Sequence, residues 1–201
     1  MIALVGSLSA RAEGPGDASR TSAASDPLEA PFGRGRLNVG VSVGWGHGFE
    51  RAEDPQDDVR MLAFMARTAV GLTDPVGGDA WYRGNVDLAI EPQFLANLDP
   101  EGGFAGGLSL LLRYHFLAGE RLVPFVSGGG GAIGLDFDGQ RQDDGFNFIL
   151  QGGIGAHWML SEQLAITVDG RWHHISNAGL RSPNEGIDSA LGMVGLTWFL
   201  R

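Results

Sequence analysis

Three residues near the C-terminus carry side chains that together could hydrolyse an ester. His174 and Ser176 are two residues apart in the segment RWHHISNAGLRSPNEGID, and Asp188 ends it. A histidine can take the proton of a serine hydroxyl, while a carboxylate fixes the histidine tautomer and stabilises the imidazolium. On a β-strand, residues two apart point to the same face and lie about 6.6 Å from each other along the backbone. A hairpin over this segment would therefore bring the three side chains together.

The chain on both sides of these residues alternates between apolar and polar side chains with a period of two, which is typical of β-strands. Leu108 to Phe116 is one example, with leucines and aromatic residues alternating with Ser109, Arg113 and His115. From residue 36 onward there are about eight such segments separated by turns. An even number of strands of this length is typical of a small outer-membrane barrel.

The nature of the polar side chains distinguishes a membrane barrel from a water-soluble β-sandwich or lipocalin-like barrel. Charges of both signs share the polar positions with many glycines, as in a crowded lumen where opposite charges pair, while bulky apolar residues face lipid. We therefore predict an all-β fold: an eight-stranded antiparallel transmembrane β-barrel of the bacterial outer membrane, spanning residues 36–201. The charged positions predicted to face the lumen are Arg67, Arg83, Asp87, Glu91, Arg113, Asp169 and Arg171.

Composition argues against other classes of protein. The formal net charge of -10 disfavours a nucleic-acid-binding protein, which needs basic residues to neutralise phosphates. No stretch approaches the roughly 20 consecutive apolar residues of a transmembrane helix. Residues 1–12 end in an A-x-A-like sequence and are predicted to be the truncated remainder of a secretory signal peptide. Residues 13–35 lack any periodicity and are predicted to form a flexible leader.

Connection lengths orient the predicted barrel. The connections after the first, fifth and seventh strands are long and polar, and outer-membrane barrels place long loops outside and short turns in the periplasm. Odd-numbered connections are thus predicted to face the outside, with Ser176 at the outer rim. The long connections are 47–58, 135–145 and 177–187, and the short ones are 117–121 and 161–163.

Residue parity places the candidate triad on the outer wall of the barrel. His174 and Ser176 continue the even-numbered apolar positions of the seventh strand, and Asp188 begins those of the eighth. A hydrolytic triad that faces lipid predicts a membrane lipid as substrate. Ordinary polar rim residues are the alternative explanation, because a charge near the interface costs only about 0–1 kcal/mol.

A second serine motif has less support. Gly40 to Gly44 matches the G-x-S-x-G pattern of a nucleophile elbow, with Ser42 at its centre. That elbow requires a strand–turn–helix context, whereas Ser42 lies in the middle of a predicted strand. We do not expect Ser42 to be a nucleophile.

The segment from Arg171 to Asp188 resembles the PagL family of lipid A 3-O-deacylases. The resemblance consists of His174-Ile-Ser-Asn-Ala-Gly179, the following Pro183-Asn-Glu-Gly186 and the acid Asp188. It implies an eight-stranded outer-membrane barrel whose His-x-Ser pair and following acid form the triad. A known member of the family carries Glu at the acid position, and Asp188 is one methylene shorter but chemically competent.

The resemblance also implies an oxyanion hole formed by Asn184 and the backbone N–H of Gly179, with Asn177 in the supporting loop. An Asn amide is a suitable donor, and glycine allows close approach of the backbone. Turn chemistry in a loop rich in Asn, Gly and Pro is the alternative explanation for these residues.

On this resemblance we expect a serine esterase that hydrolyses the 3-O-linked acyl ester of lipid A at the outer leaflet. Lipopolysaccharide and the outer membrane are the expected partners, no metal or cofactor is implied, and a homodimer is left open. Two other functions fit the predicted barrel. One is a non-catalytic barrel with an adhesin-like or structural role, and the other is an esterase acting on other membrane lipids.

Overall fold

The computed structural model describes residues 31–49, 59–99, 102–117, 119, 121–137 and 142–200. The predicted signal segment at 1–12 and the predicted leader up to residue 30 lie outside the described residues. The described residues form eight antiparallel strands that close into one barrel, which confirms the predicted fold. The strands are β1 Leu37–Gly48, β2 Arg60–Gly71, β3 Gly84–Asp99, β4 Gly103–Phe116, β5 Leu122–Phe137, β6 Gly145–Ser161, β7 Leu164–Ser176 and β8 Ile187–Leu200.

Alternation along each strand divides the side chains between the outer wall and the lumen. On β4, Leu108, Leu110 and Leu112 are exposed, whereas Ser109 and Arg113 are buried. Each strand pairs with its sequence neighbours, and β1 pairs with β8 to close the sheet. Among the described residues there is no helix with the length and apolar character that a membrane crossing would need. The exposed large apolar side chains of the strands make up the outer surface of the barrel.

Charges of opposite sign pair in the middle of the lumen, as predicted. Arg67 donates hydrogen bonds to Glu91 at 2.9 and 2.6 Å, and Arg171 donates to Asp169 at 2.8 and 2.7 Å and also to Glu91. Pairing of this kind offsets the cost of removing each charge from water. Arg83 differs from the other charged positions in that it precedes β3 and is only partly buried.

We call the end of the barrel where β7 joins β8 the loop end, and the end that carries Leu37 and Leu200 the terminal end. A cluster of buried apolar side chains lies in the lumen near the loop end, a feature that the strand pattern did not predict. Apolar packing there excludes water from the strands that carry the candidate triad. The buried side chains of this layer are Val59, Met61, Ala63, Met65, Leu95, Ala105, Ile133, Leu135, Phe137, Ile149, Ile175, Ile187, Leu191 and Met193.

An aromatic side chain from before the first strand fills the terminal end. Phe32 is buried, with its ring centroid 5.1 Å from that of His115 and 4.9 Å from that of Phe199. Pro31 and Phe32, in the last part of the predicted leader, are therefore packed into the barrel, whereas Arg34 and Gly35 are exposed.

The connections follow the predicted pattern only in part. At the loop end, residues 177–186 join β7 to β8 and residues 138–144 join β5 to β6, while the turn at 162–163 is short. The connection at 72–83 is long although it lies at the terminal end, and the one at 100–102 is short although it lies at the loop end. The length rule therefore applies to the loops around the candidate triad but not to every connection.

Candidate active site

The last hairpin brings His174, Ser176 and Asp188 together at the loop end. β7 ends at Ser176, β8 begins at Ile187, and the strand register places His174 directly opposite Asp188. The side chain of Ile175, between the histidine and the serine, is fully buried in the lumen. Since neighbouring side chains on a strand point to opposite faces, the inward position of Ile175 sets the outward direction of its two neighbours.

The three side chains form a hydrogen-bonded relay. His174 Nε2 lies 3.1 Å from Ser176 Oγ, and His174 Nδ1 lies 3.0 Å from Asp188 Oδ1. A carboxylate can only accept, so Nδ1–H donates to Asp188 and Nε2 is left to accept the serine proton. The side chains of His174 and Asp188 are 30% and 25% exposed, respectively. The relay is therefore partly shielded yet open to a substrate on the outer wall.

Two neighbours, Trp172 and Gly186, lie against the imidazole ring of His174. The ring of Trp172 stacks on it with a centroid distance of 6.0 Å and an interplanar angle of 18°. The second neighbour is Gly186, whose backbone φ is +78°. A Cβ added at this position would lie 3.0 Å from His174 Cε1. Both the backbone conformation and the close approach require glycine here. In the sequence, the only indication of this requirement is that a glycine, Gly186, follows Glu185 in the loop.

Asn184 is held by two donors that converge on its side-chain oxygen. The backbone N–H of Asn177 donates to Asn184 Oδ1 at 2.8 Å, and Gln142 Nε2 donates to the same atom at 3.1 Å. Because a backbone N–H can only donate, the atom that it meets must be the amide oxygen. The Nδ2 group of Asn184 is therefore the part of the amide that is available to donate to a substrate.

Gly179 is placed differently from the expectation that the resemblance gave. Its backbone N–H donates to Asn177 Oδ1 at 3.0 Å, so it is engaged within the loop in this conformation. Its φ of +77° is the left-handed conformation that glycine adopts without strain. Asn177 is fully buried and also donates through Nδ2 to the carbonyl of Arg181 at 3.1 Å. Asn177 therefore organises the loop from within.

Sequence reasoning missed the contribution of the β5–β6 connection. Gln142 is buried and forms an isolated β-bridge with Asn184. Arg181 Nε lies 3.2 Å from a carboxylate oxygen of Asp143, which joins the same two loops at their exposed edge. No spacing rule links Gln142 to Asn184, because 42 positions of chain separate them.

Apolar wall residues lie beside Ser176 and His174. The register places Phe148 opposite Ser176 and Leu150 opposite His174 on β6, and both side chains are exposed. Among the described residues, no group of three or more His, Cys, Asp or Glu side chains is arranged to hold a metal ion. The arrangement is suited to nucleophilic attack on a carbonyl carbon that is presented from an apolar phase.

A closed eight-stranded barrel with an apolar outer wall defines a bacterial outer-membrane β-barrel protein, here with a serine, a histidine and a carboxylate hydrogen-bonded at one end. The family model described as lipid A 3-O-deacylase (PagL) matches residues 66–197. The chain belongs to this family, and lipid A deacylation is therefore its activity at the level of the family.

Solved structures show the same fold at low sequence identity. The outer-membrane enzyme PagL superposes with a TM-score of 0.55 at 21% identity, covering 79% of this chain and 97% of that one. Neisserial surface protein A superposes with a TM-score of 0.56 at 12% identity, covering 82% of this chain and 97% of that one. The N-terminal barrel domain of Pseudomonas aeruginosa OprF superposes with a TM-score of 0.50 at 17% identity, covering 83% of this chain and 100% of that one. No protein with a curated description matches the sequence significantly.

Proposed function

We propose that this protein is a serine esterase that removes the 3-O-linked acyl chain of lipid A at the outer leaflet of the outer membrane. The observation that supports this most strongly is the relay from Ser176 through His174 to Asp188 on the lipid-facing side of the last hairpin. Family membership supports lipid A as the substrate. The relay supports the chemical mechanism.

In the proposed reaction, Ser176 Oγ attacks the ester carbonyl carbon as His174 Nε2 takes the hydroxyl proton. Asp188 stabilises the imidazolium that results. The tetrahedral intermediate collapses when the bond to the sugar oxygen breaks, and His174 returns the proton to that oxygen. The acyl chain is then bound to Ser176 as an ester. Water attacks this ester with His174 again as the base, which releases the fatty acid and restores the serine.

Asn184 is the proposed donor to the oxyanion. Its Oδ1 is occupied by two hydrogen bonds, so its Nδ2 can be presented to the negative charge that develops on the carbonyl oxygen. The N–H of Gly179 would supply a second donor if it exchanged its bond with Asn177 Oδ1 for one with the oxyanion. Asn184 is therefore expected to contribute more than Gly179.

The surroundings of the triad support a substrate embedded in the membrane. Phe148 and Leu150 flank the nucleophile and the base with exposed apolar surface, whereas residues 177–186 immediately above carry polar groups. The triad thus lies at a boundary between apolar and polar surface. The ester bonds of lipid A lie at the matching boundary between acyl chains and sugar, and lipid A occupies the outer leaflet.

Covalent labelling tests the proposed nucleophile. A fluorophosphonate probe should modify the detergent-solubilised protein and the Ser42→Ala variant to the same extent. The Ser176→Ala variant should not be modified, and His174→Ala should react much more slowly, because the general base contributes roughly 10²–10⁴-fold. Undiminished labelling of Ser176→Ala would contradict the proposal, and Ser42 serves as the matched control from the G-x-S-x-G motif.

A further inference from the structure

Gln142 is the buried link between the β5–β6 connection and the β7–β8 loop. Its Nε2 donates to Asn147 Oδ1 at 2.7 Å and to Asn184 Oδ1 at 3.1 Å. Its Oε1 accepts the backbone N–H of Gly186 at 2.9 Å. One carboxamide therefore contacts both the proposed oxyanion donor and the residue that lies against His174.

Gln142 is itself held in a fixed orientation. Asn147 is fully buried, and its Nδ2 donates to the carbonyl oxygens of Asp143 and Gly145 at 3.1 and 3.2 Å. The Oδ1 of Asn147 must therefore face Gln142, which in turn fixes Nε2 as the atom that Gln142 presents. Two buried amides, Gln142 in the β5–β6 connection and Asn147 in β6, thus set the direction of a third amide, that of Asn184, in a different loop.

We propose that Gln142 is a positioning residue for the reaction and that it acts through the Asn184 side chain. This inference rests on the proposed function, because it takes Asn184 as the oxyanion donor. With Gln142 in place, two donors hold Asn184 Oδ1 and the Nδ2 group keeps one orientation before the substrate binds. Without it, only the Asn177 N–H remains, and the amide can swing about that single bond. Preorganised donors stabilise charge better than donors that must reorient during the reaction.

The Gln142→Met variant keeps the length and volume of the side chain and removes all three hydrogen bonds. We expect kcat on purified lipid A in detergent micelles to fall by about 10- to 100-fold, less than the roughly 10²–10³-fold for loss of a complete oxyanion donor. KM should change little, because the acyl and sugar contacts of the substrate are untouched. Gln93→Met is the matched control. Gln93 is also buried and donates to Ser109 Oγ at 3.2 Å, but it lies on β3, across the barrel from the triad.

A double-mutant cycle separates positioning from general loosening of the loop. If Gln142 acts through Asn184, the combination of Gln142→Met with Asn184→Ala should be no slower than Asn184→Ala alone. If the fold-losses in kcat of the two single variants instead multiply in the double variant, the proposal is overturned. A wild-type kcat in Asn184→Ala would overturn it together with the oxyanion assignment. Fluorophosphonate labelling of Ser176 would still report the triad in each case.

The Gln142→Glu variant distinguishes the contact with Asn184 from the contact with Gly186. A carboxylate can still accept the Gly186 N–H, but it cannot donate to Asn184 Oδ1 and would repel that oxygen. We expect Gln142→Glu to have a kcat at least as low as that of Gln142→Met. Near-wild-type kcat in Gln142→Glu would show that the Gly186 contact is the one that matters and would overturn the role assigned through Asn184.

Discussion

Four neighbouring residues constrain His174 in the relay. It is hydrogen-bonded to Ser176 and Asp188, stacked on Trp172 and in contact with Gly186. These contacts fix both the ring plane and the tautomer before a substrate arrives. Catalysis by a preorganised base avoids the entropy cost of orienting the ring during the reaction. The behaviour of variants at these neighbours should therefore follow from what each does to the imidazole.

Replacement of Asp188 by asparagine should affect the tautomer of His174 most directly. An asparagine amide can donate to Nδ1 and so favour protonation of Nε2, which then cannot accept the serine proton. We expect kcat to fall by about 10⁴-fold with the barrel still folded. Asp188→Glu keeps the carboxylate and should retain far more activity. The measurement is fatty-acid release from lipid A, and an Asp188→Asn rate within tenfold of the wild type would contradict the role of the carboxylate.

Gly186→Ala should lower activity through the position of the His174 ring. The added Cβ would lie 3.0 Å from Cε1, and the φ of +78° is strained for alanine. We expect a fall in kcat of roughly tenfold or more, since even small misplacement of a reacting group is costly. Gly192→Ala is the control, because a Cβ there meets nothing within 4 Å. Equal kcat values for the two variants would argue against a tight contact between Gly186 and the ring.

At the scale of elements, the end of β7 in the β7–β8 hairpin carries side chains that face the lumen and side chains that face the outer wall. Ile175 faces the apolar layer at the loop end while His174 and Ser176 on either side face outward. The packing of one inward side chain thus sets the direction of two outward ones. Any loss of that packing should loosen the strand end that carries Ser176, the proposed nucleophile.

Ile175→Ala should therefore destabilise the barrel. Removal of a fully buried isoleucine side chain costs about 2–5 kcal/mol in the free energy of unfolding. Ile154→Ala is the control on the neighbouring strand, where the side chain is 70% exposed on the outer wall. Urea unfolding in detergent micelles measures both. A greater loss of stability for Ile154→Ala than for Ile175→Ala would contradict the assignment of Ile175 to the lumen.

Strand periodicity was sufficient to predict that His174, Ser176 and Asp188 share a face, because a period of two fixes the face of every residue on a regular strand. It could not predict the orientation of Asn184 or the role of Gln142. Those depend on how two loops pack, and loop conformations follow from individual hydrogen bonds between residues distant in sequence. The hydrogen bond from the Gly179 N–H to Asn177 Oδ1 could not be predicted for the same reason.

At the scale of the whole molecule, the lumen is divided into layers along the barrel axis. The apolar cluster lies towards the loop end, the cluster of Arg67, Glu91, Asp169 and Arg171 lies in the middle, and Phe32 packs at the terminal end. The charged layer was predictable from the mixed signs of the polar positions. The apolar layer was not, because both faces of β2 near Met61 and Met65 are apolar and a period-two pattern is weak there.

Glu91→Ala should be among the most destabilising single substitutions in the barrel. Glu91 accepts hydrogen bonds from both Arg67 and Arg171, and its removal leaves two buried guanidinium groups with less compensation. Breaking a buried ion pair by removing one partner costs about 3–5 kcal/mol. Asp74→Ala, which removes an exposed acceptor from Arg34 N–H, should cost well under half of that. Similar unfolding free energies for the two variants would contradict the paired-charge description of the lumen.

Mass spectrometry of lipid A after incubation with the purified protein tests the central claim most directly. The wild-type protein should convert lipid A to a species that lacks one acyl chain, with fragmentation placing the loss at the 3 position, and should release the corresponding fatty acid. Ser176→Ala, folded into the same barrel, should leave lipid A unchanged. Deacylation by Ser176→Ala at the wild-type rate, or unchanged lipid A with both proteins, would contradict the account.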